Sequence, residues 1–460
     1  MVRMERLLSQ AASAVAGYRA GLDDRRVAPP VDLQVLRDRL GGGLPADGVA
    51  AEEVLAQLVD GAEAGLVATA GPRYFGFVVG GALPAATAAD MVAVGWDQNA
   101  LNLAMSPASL VVEEVAGGWL KELLGIPAGA SVGFVTGAQQ ANTVGLAAAR
   151  EGVLAGAGWD VGRDGLGGAP LVRIVAGEER HASIDRSLRL LGFGTEGVEA
   201  VAADPNGAVD LAELARVLEA GPSAPTIVCL QAGNVNTGAC DDLRHGIEIA
   251  HQHGAWAHVD GAFGLWAAAS PATRHLVDGV ELADSWGCDG RKWLNVPYDS
   301  GYVFCAHPDV HARALHYSAP YLVNLEGAVA TAGGDFTLES SRRARGFATW
   351  AALRELGRTG IAEQIERCCR LARRFADALS AAGATIANEV VLNQVLASFG
   401  NDQETDRIVS EVQREGTCWM GGTTWHGQRF MRISISNWST TEHDVDRSVE
   451  AILRIAAQKT

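Results

Sequence analysis

Two stretches of the chain decide how it folds: residues 255–264 read AWAHVDGAFG, and residues 284–304 read DSWGCDGRKWLNVPYDSGYVF. In each, an apolar run typical of a buried strand leads to a charged residue. Asp260 ends the first run, and Lys292 follows the second, 32 positions further along the chain. A carboxylate at the end of a buried strand is costly unless a cation meets it. The two stretches therefore indicate neighbouring strands with a chemical site at their carboxyl ends.

Similar apolar runs recur in the middle of the chain, with helical segments between them. The other runs are SVGFVT (131–136), APLVRIVA (169–176) and TIVCLQA (226–232). Short apolar runs separated by helices predict an α/β fold whose mostly parallel sheet is covered on both faces. Ligands of such sheets bind at the carboxyl ends of the strands, where loops lead into helices.

Three segments differ in pattern and are predicted to be separate units. Residues 1–71 are predicted to form a helical N-terminal arm, which must bury its apolar faces against the main body or a second subunit. Residues 72–355 form the large sheet domain. Residues 356–460, which end in RFMRISISNW (429–438) and a final helix, are typical of a small α+β domain.

Composition limits the classes of partner. The chain has 460 residues, of which 48% are hydrophobic, so it can bury sizeable cores. Its net charge of −17 and the lack of a dense Lys/Arg tract disfavour nucleic acid and anionic membranes as partners. No apolar run is long enough to span a bilayer, and the N-terminus lacks the apolar core of a signal peptide. A cytoplasmic protein is expected.

The cysteines and histidines give no strong metal signal. Seven cysteines, an odd number without CxxC spacing, are typical of reduced thiols in a cytosol. The segment HQHGAWAH could bring His251, His253 and His258 together on a metal. A helix that ends at Gly254 and is followed by a strand would separate the three rings, so no metal site is predicted.

Two further strand ends carry suitable residues. After SVGFVT, the segment TGAQQANTVGLAAAR begins a helix at about Ala138 and Gln139, and a helix N-terminus favours a phosphate. His181 follows the APLVRIVA run and offers a flat ring that could stack on a planar cofactor. An anion site, an imidazole, Asp260 and Lys292 at successive strand ends are together the components needed to bind pyridoxal phosphate.

At these residues the sequence resembles the pyridoxal-phosphate-dependent decarboxylases that include the aromatic-L-amino-acid, histidine and glutamate decarboxylases. The likeness runs from RYFGFVVGGALPAATAADM through MSPASLVVEEVAGGWLKELLGIP to RFMRISISNW, and HVDGAFG and DGRKW are its most specific parts. The resemblance implies a fold-type-I, aminotransferase-like large domain. It also implies a homodimer with shared active sites and an amino-acid substrate.

The resemblance assigns roles around the cofactor ring. Lys292 would carry pyridoxal 5'-phosphate as a Schiff base, and Asp260 would pair with the pyridinium nitrogen. His181 would stack on one face of the ring, and Ala262 would touch the other.

The resemblance also assigns the phosphate end of the site. The backbone amides of Ala138 and Gln139 would hold the phosphate, and Asn234 would lie near the cofactor hydroxyl. Asp289 is counted with the cofactor-binding residues. Arg291 stands where the family has a histidine, and it would either pair with the phosphate or point to solvent.

A tyrosine is expected to supply the last proton. Tyr321 matches the tyrosine of the family's mobile loop and would protonate the α-carbon after carbon dioxide leaves. Relatives with phenylalanine at this position tend to be aldehyde synthases.

Aromatic residues suggest the substrate class. Tyr74, Phe75, Phe77 and Leu101 are expected at the pocket. The aromatic residues among them, together with Trp96, favour an aromatic or bulky apolar L-amino acid, although they could equally be core residues. The wall near Leu101 nevertheless lacks the aromatic residues with which relatives grip a ring.

Other activities on this fold remain open. An aminotransferase would need an arginine for the keto acid, and Arg432 could be that residue. An aldehyde synthase is disfavoured by Tyr321, and a cysteine desulfurase by the lack of a clear loop cysteine. A non-catalytic binding protein would have little reason to retain all of these residues.

Overall fold

A computed structural model describes residues 2–316 and 333–458. The helices α1–α14 are, in chain order, Val2–Ala20, Leu33–Leu40, Ala51–Ala62, Pro84–Trp96, Pro107–Leu124, Ala138–Gly156, Val161–Asp164, Ala182–Leu190, Leu211–Ala220, Leu243–Gln252, Pro308–Leu315, Gly346–Ala381, Asp402–Glu415 and Glu442–Ala456. The strands β1–β11 are Ser131–Val135, Arg173–Gly177, Val198–Val201, Thr226–Gln231, Trp256–Asp260, Ser285–Asp289, Gly301–Cys305, Thr385–Ile386, Gln394–Ser398, Gly421–Trp425 and Gln428–Ser434.

The larger sheet has seven strands in the order β1-β7-β6-β5-β4-β2-β3. The pairs from β6 through β5, β4 and β2 to β3 are parallel, and β7 runs antiparallel to both of its neighbours. The fold is thus the fold-type-I α/β arrangement with a mostly parallel sheet. Strands β2, β4 and β5 are buried along their whole length, which explains their nearly continuous apolar sequences.

Side-chain caps at the helix starts direct the chain off the sheet. Asp210 accepts a hydrogen bond from the Glu213 amide at the start of α9, and Asp242 does the same for the His245 amide at α10. Such caps satisfy backbone donors that have no partner inside the helix. They mark where a loop ends and a helix begins.

The smaller sheet has four antiparallel strands in the order β10-β11-β9-β8. The long helix α12 leads to it and contains one non-helical residue, Gly357, at φ 60°. A left-handed conformation of this kind favours glycine. The chain before α4 also packs on this part: the Phe75 amide donates to the Trp419 carbonyl, and the Ser434 amide donates to the Phe75 carbonyl. The predicted domain boundaries remain a prediction.

The three arm helices leave apolar side chains on the surface of the single chain. Leu8, Leu33, Leu40 and Leu58 are each at least half exposed, and α2 buries none of its residues. Among the described helices, none is long and apolar enough to cross a membrane.

Candidate active site

The predicted site residues converge because β4, β5 and β6 are parallel neighbours in register. Gln231 pairs with Asp260, and Asp260 pairs with Gly287, at the carboxyl ends of the three strands. Lys292 follows β6 after a two-residue turn. The α8 helix begins one residue after His181, beyond the carboxyl end of β2. The sheet therefore brings together residues that lie more than 100 positions apart in the sequence.

Asp260 is a buried carboxylate with weak partners. It is 3% exposed, and its Oδ1 accepts from the Ala262 amide at 3.2 Å. Its Oδ2 accepts from the Ser183 hydroxyl at 3.4 Å, at the long end of the hydrogen-bond range. In the part of the chain that the structure describes, no lysine or arginine forms an ion pair with Asp260. A buried carboxylate of this kind suits a cationic ring nitrogen.

His181 caps α8 and lies near both charges. Its Nδ1 accepts from the Ser183 amide at 3.1 Å. Burial lowers the pKa of the His181 imidazole, Asp260 opposes the shift, and Lys292 and Arg432 add to it. His181 is therefore favoured as a neutral, flat ring within electrostatic reach of the carboxylate and the amine.

The Lys292 side chain lies beside an apolar ring. Its Nζ lies 5.5 Å from the centre of the Phe263 ring, and its backbone amide donates to Asp289 Oδ1 at 3.3 Å. Within residues 2–316 and 333–458, no hydrogen bond or ion pair holds Nζ. A lysine amine beside an apolar ring and free of a salt bridge can react with an aldehyde.

The start of α6 differs from the expected open anion site. The Ala138 amide donates to Asp289 Oδ2 at 3.0 Å, and the Arg291 amide donates to Asp289 Oδ1 at 2.8 Å. Burial raises the pKa of the Asp289 carboxyl, and Lys292 opposes that shift. The Gln139 side chain donates to the Ser183 carbonyl at 3.2 Å. Asp289 thus accepts the hydrogen bond of the Ala138 amide, which was expected to be free to bind the phosphate.

Asn234 and Arg291 take positions that the sequence did not predict. Asn234 is 1% exposed; its Nδ2 donates to the Glu179 carbonyl and its Oδ1 accepts the Asn236 amide. It closes the loop after β4, and its expected place beside the cofactor hydroxyl stays a prediction. Arg291 is buried, donates to the Gly81 carbonyl, and lies 4.4 Å from the centre of the Tyr298 ring. Burial excludes the solvent-exposed alternative for Arg291, and its contact with the phosphate stays a prediction.

The expected substrate residues divide into three groups. Tyr74 and Phe77 stack on Trp419 with ring centres 5.0 and 5.3 Å apart, and burial raises the pKa of Tyr74 to about 12. Phe75 is 1% exposed and packs edge-on against a phenylalanine of α12, so it is a core residue and not a pocket wall. The Leu101 carbonyl accepts from the Gly334 amide at 3.0 Å.

Ala262 links the two acidic residues of the site. Its amide donates to Asp260, and its carbonyl accepts from the Asp289 amide at 3.2 Å. The Tyr321 prediction lies outside the described residues.

Two residues of the site were missed or left without a role. Trp419 stands in a short segment between a helix and a strand, where no periodicity marks it. Arg432 on β11 donates to the Val235 carbonyl at 3.3 Å, and no described carboxylate forms an ion pair with it. Burial lowers the pKa of Arg432, and the positive charge of Arg432 contributes to the lowered pKa of His181. Only the folded chain reveals that Arg432 faces the site.

The three central side chains of the site together suit one kind of cofactor. Among the described residues, Lys292 offers an amine without a salt bridge, Asp260 offers a buried carboxylate without a cation, and His181 offers a neutral flat ring. An aldehyde, a basic ring nitrogen and a planar π-system match these groups, and pyridoxal phosphate combines all three. The fold and the site thus define a fold-type-I, pyridoxal-phosphate-dependent enzyme.

The comparisons with known proteins specify the family. The model of the pyridoxal-dependent decarboxylase conserved domain matches residues 45–398. The chain belongs to the pyridoxal-dependent decarboxylase family and is a carboxy-lyase that uses pyridoxal 5'-phosphate.

Individual relatives are distant but span nearly the whole chain. The chain is 25% identical over 485 residues to tryptophan decarboxylase 1 of Oryza sativa subsp. japonica, covering 98% of this chain and 93% of the relative. It is 24% identical over 472 residues to an aromatic-L-amino-acid decarboxylase of Bacillus atrophaeus, covering 99% and 96%. The crystal structure of Oryza sativa TDC with PLP and tryptamine superposes with a TM-score of 0.91 at 23% identity, covering 98% and 97%.

Proposed function

We propose that this enzyme removes the carboxyl group of an aromatic or bulky apolar L-amino acid and releases the amine and carbon dioxide. The observation that carries the proposal is the placement of Asp260 and Lys292. Both lie at one sheet edge, and neither pairs with an opposite charge among the described residues. The cofactor's charge pattern would complement both groups.

The roles proposed for the chain's residues follow from their positions. When bound, pyridoxal phosphate accepts the electron pair left on the α-carbon as carbon dioxide departs. Lys292 would hold the cofactor covalently and would release it to the substrate amine. Asp260 would keep the ring nitrogen protonated, because a buried carboxylate favours a cation beside it. His181 would pack on the ring as a neutral imidazole and would thus add no competing positive charge.

The proposed substrate class rests on an aromatic cluster and on two relatives. Tyr74, Phe77 and Trp419 form a stacked group, and the turn that follows Phe77 reaches the active-site lysine. A Cβ at Gly80 would collide with the Lys292 carbonyl, so the two backbones are in close approach. Both relatives described above are named for aromatic substrates. An aromatic side chain would extend the existing stack.

Arg432 is proposed to bind a substrate carboxylate. It is a largely buried cation whose one described hydrogen bond is to a backbone carbonyl, so its charge is not neutralised. A guanidinium matches a carboxylate in geometry and charge. The same residue would serve a keto acid, which is why transamination is the second activity to test.

Tyr321 is proposed as the acid that protonates the α-carbon. The proposal rests on the family resemblance of SAPYL (318–322) and on the lack of another assigned proton donor. A tyrosine side chain can act as a general acid when it reaches the reacting atom.

A homodimeric, cytosolic enzyme is part of the proposal. The apolar surface of the arm helices supports a second copy as partner, because a single chain leaves it in water. The seven cysteines are free thiols, which suits a reducing compartment. Burial raises the pKa of six of these thiols to about 11 or 12 and raises that of Cys288 as well, which argues against a cysteine nucleophile.

A substrate screen tests the proposal. The purified enzyme with pyridoxal phosphate is given aromatic, aliphatic, acidic and basic L-amino acids, and amine and keto acid are both measured. Amine from aromatic substrates, absent with Lys292→Ala, is the expected result. Keto acid as the main product would establish transamination instead, and amine only from acidic substrates would overturn the proposed substrate class.

A further inference from the structure

A chain of buried polar side chains runs behind Asp260. His258 lies two residues before Asp260 on β5, and neighbours two apart on a strand point to the same face. His258 is fully buried, and its Nδ1 lies 2.9 Å from Ser285 Oγ. Its Nε2 lies 3.2 Å from Asn142 Oδ1 on α6. The polar chain therefore crosses from the sheet into the helix that begins at the expected phosphate site.

The direction of these hydrogen bonds follows from Trp256. Its indole nitrogen can only donate, and it donates to Ser285 Oγ at 2.9 Å. The Ser285 hydroxyl hydrogen must then go to His258 Nδ1, its other described partner. His258 consequently carries its proton on Nε2 and donates to Asn142 Oδ1. The reverse direction would leave the buried Ser285 hydroxyl hydrogen without an acceptor, which is costly.

The hydrogen bonds of Asn142 continue in the same donor-to-acceptor direction towards the cofactor site. With Oδ1 accepting from His258, its Nδ2 donates to Ser183 Oγ at 3.1 Å. The Ser183 hydroxyl hydrogen can then go to His181 Nδ1 at 2.8 Å or to Asp260 Oδ2 at 3.4 Å. Because the Ser183 amide also donates to His181 Nδ1, the neutral His181 ring carries its proton on Nε2. Ser183 is the point where the buried chain meets both residues proposed to touch the cofactor ring.

Two glycines make room for this chain. A Cβ at Gly145 would lie 2.7 Å from His258 Cε1 and 3.0 Å from its Nδ1. A Cβ at Gly287 would collide with Asn142 Oδ1. The close approach of α6 to β5 and β6 therefore requires glycine at both positions, and it lets one asparagine connect the sheet with α8.

The buried hydrogen-bond chain carries no charge at its His258 end. Burial lowers the pKa of His258 to about 4, and Asp260 opposes the shift. A neutral His258 donates through Nε2 throughout the neutral pH range. The polar chain thus presents one fixed arrangement of donors to Ser183.

We propose that His258, Asn142 and Ser183 are positioning residues that, through a hydrogen-bond chain of one direction, orient His181 and Asp260 for the cofactor. The inference rests on the proposed placement of Asp260 against the ring nitrogen. Asn142 is the central link, since among the described residues it alone both accepts from His258 and donates to Ser183. Losing the hydroxyl at Ser183 leaves the Asp260 carboxylate with the Ala262 amide as its one described hydrogen bond.

The test compares Ser183→Ala, Asn142→Asp and the double variant. Asn142→Asp keeps an acceptor for His258 but replaces the donor to Ser183 by an acceptor, which draws the Ser183 hydroxyl away from Asp260. Ser448→Ala is the matched control: it removes a fully buried serine hydroxyl that donates to a backbone carbonyl in α14. Where Ser183→Ala reduces the yield of folded protein, Asn142→Asp carries the test.

The readouts require no substrate, so they stand apart from the substrate assay. Apoenzyme is titrated with pyridoxal phosphate to obtain its Kd, and the absorbance of the bound cofactor is followed against pH. Each single variant is expected to weaken binding by about fivefold or more and to alter the pH response by about half a unit, which is half of a 1.36 kcal/mol pKa unit. The double variant should equal the larger single effect. Changes no larger than those of Ser448→Ala, or two single effects that add, would overturn the proposal.

Discussion

The carboxylate of Asp289 accepts a hydrogen bond from the Ala138 amide at 3.0 Å, so an acidic residue lies at the start of α6, where the cofactor phosphate is expected. The α6 N-terminus favours negative charge, and Asp289 uses one of its donors. An acid and a phosphate that share this helix end would repel each other.

The first prediction is that Asp289→Asn has opposite effects on the two forms of the protein. It should tighten binding of pyridoxal phosphate by about tenfold, because it removes a like charge. It should lower the thermal stability of the apoenzyme, because the amide nitrogen cannot accept from Ala138. Calorimetric titration and melting curves measure the two effects. Asp284→Asn is the control, since Asp284 accepts the Ala257 amide at the opposite end of β6. Weaker cofactor binding in Asp289→Asn would show that the phosphate gains from this residue.

A buried ion pair fixes the segment that contains Leu101. Arg342 donates to both oxygens of Glu113 at 2.7 and 2.6 Å, and the two side chains are 0% and 8% exposed. The Arg342 carbonyl also accepts the Ala100 amide at 3.0 Å. Removal of one partner leaves the other charge buried and unpaired.

The second prediction concerns this ion pair. Glu113→Leu and Arg342→Met should each lower the free energy of unfolding by about 3–5 kcal/mol, and the double variant by less than their sum. Denaturant unfolding measures the three values. The exposed pair Arg358–Glu122 is the control, and its loss should cost less than about 1 kcal/mol. Equal small losses at both pairs would contradict the account.

The third prediction is a loss of stability in mild acid. The pKa of His258 is lowered from 6.5 to about 4 by burial, and that of His311 falls to about 4 for the same reason. Between pH about 6.5 and pH about 4, these two histidines bind protons in the unfolded chain but not in the folded chain. Stability therefore falls as pH drops from about 6.5 to 4, by up to about 3 kcal/mol for each histidine.

Unfolding measured at several pH values checks this prediction. His258→Gln should be less stable than the original chain at pH about 7, since it breaks the buried polar chain. Its stability should also fall less between pH about 7 and pH about 4. The fall should be smaller by the His258 share, about half of the combined contribution of His258 and His311. A decline as steep as that of the original chain would show that His258 already titrates normally when folded.

The fourth prediction concerns Arg432. Arg432→Met should raise the KM for the amino acid at least about tenfold while the Kd for pyridoxal phosphate changes little, because the proposed contact is with the substrate carboxylate. Arg429→Met is the control: Arg429 lies on the same strand and pairs with Asp406 on the surface. An unchanged KM with a lower kcat would place Arg432 elsewhere in the reaction.

Much of the fold was predictable because its strands carry apolar runs bounded by turns. The mostly parallel sheet follows from that pattern, and the fold-type-I arrangement follows from the resemblance. Three strands were not predicted, and one of them, Thr385–Ile386, has only two residues. Val198–Val201 is short and only partly buried, and Gly421–Trp425 consists of two glycines, two threonines and a single tryptophan, with little apolar content.

The candidate site was predictable as a set of strand ends but not as a set of contacts. Asp260 and Lys292 lie together because register places strand ends at one edge, and that can be inferred from sequence. The partner of each side chain cannot. Arg291 donates to Gly81, which lies 210 positions earlier, and Asn234 is used by its own loop. Such choices depend on packing between segments that are distant in the sequence.

The measurement that tests the central claim most directly is product stoichiometry on the best aromatic substrate. Carbon dioxide, amine, aldehyde, peroxide and oxygen uptake are recorded together, for the original chain and for Tyr321→Phe. The account predicts equal amounts of carbon dioxide and amine with no oxygen uptake for the original chain, and a partial shift to aldehyde and peroxide in the variant. Oxygen uptake with aldehyde from the original chain, or consumption of the substrate without release of carbon dioxide, would contradict it.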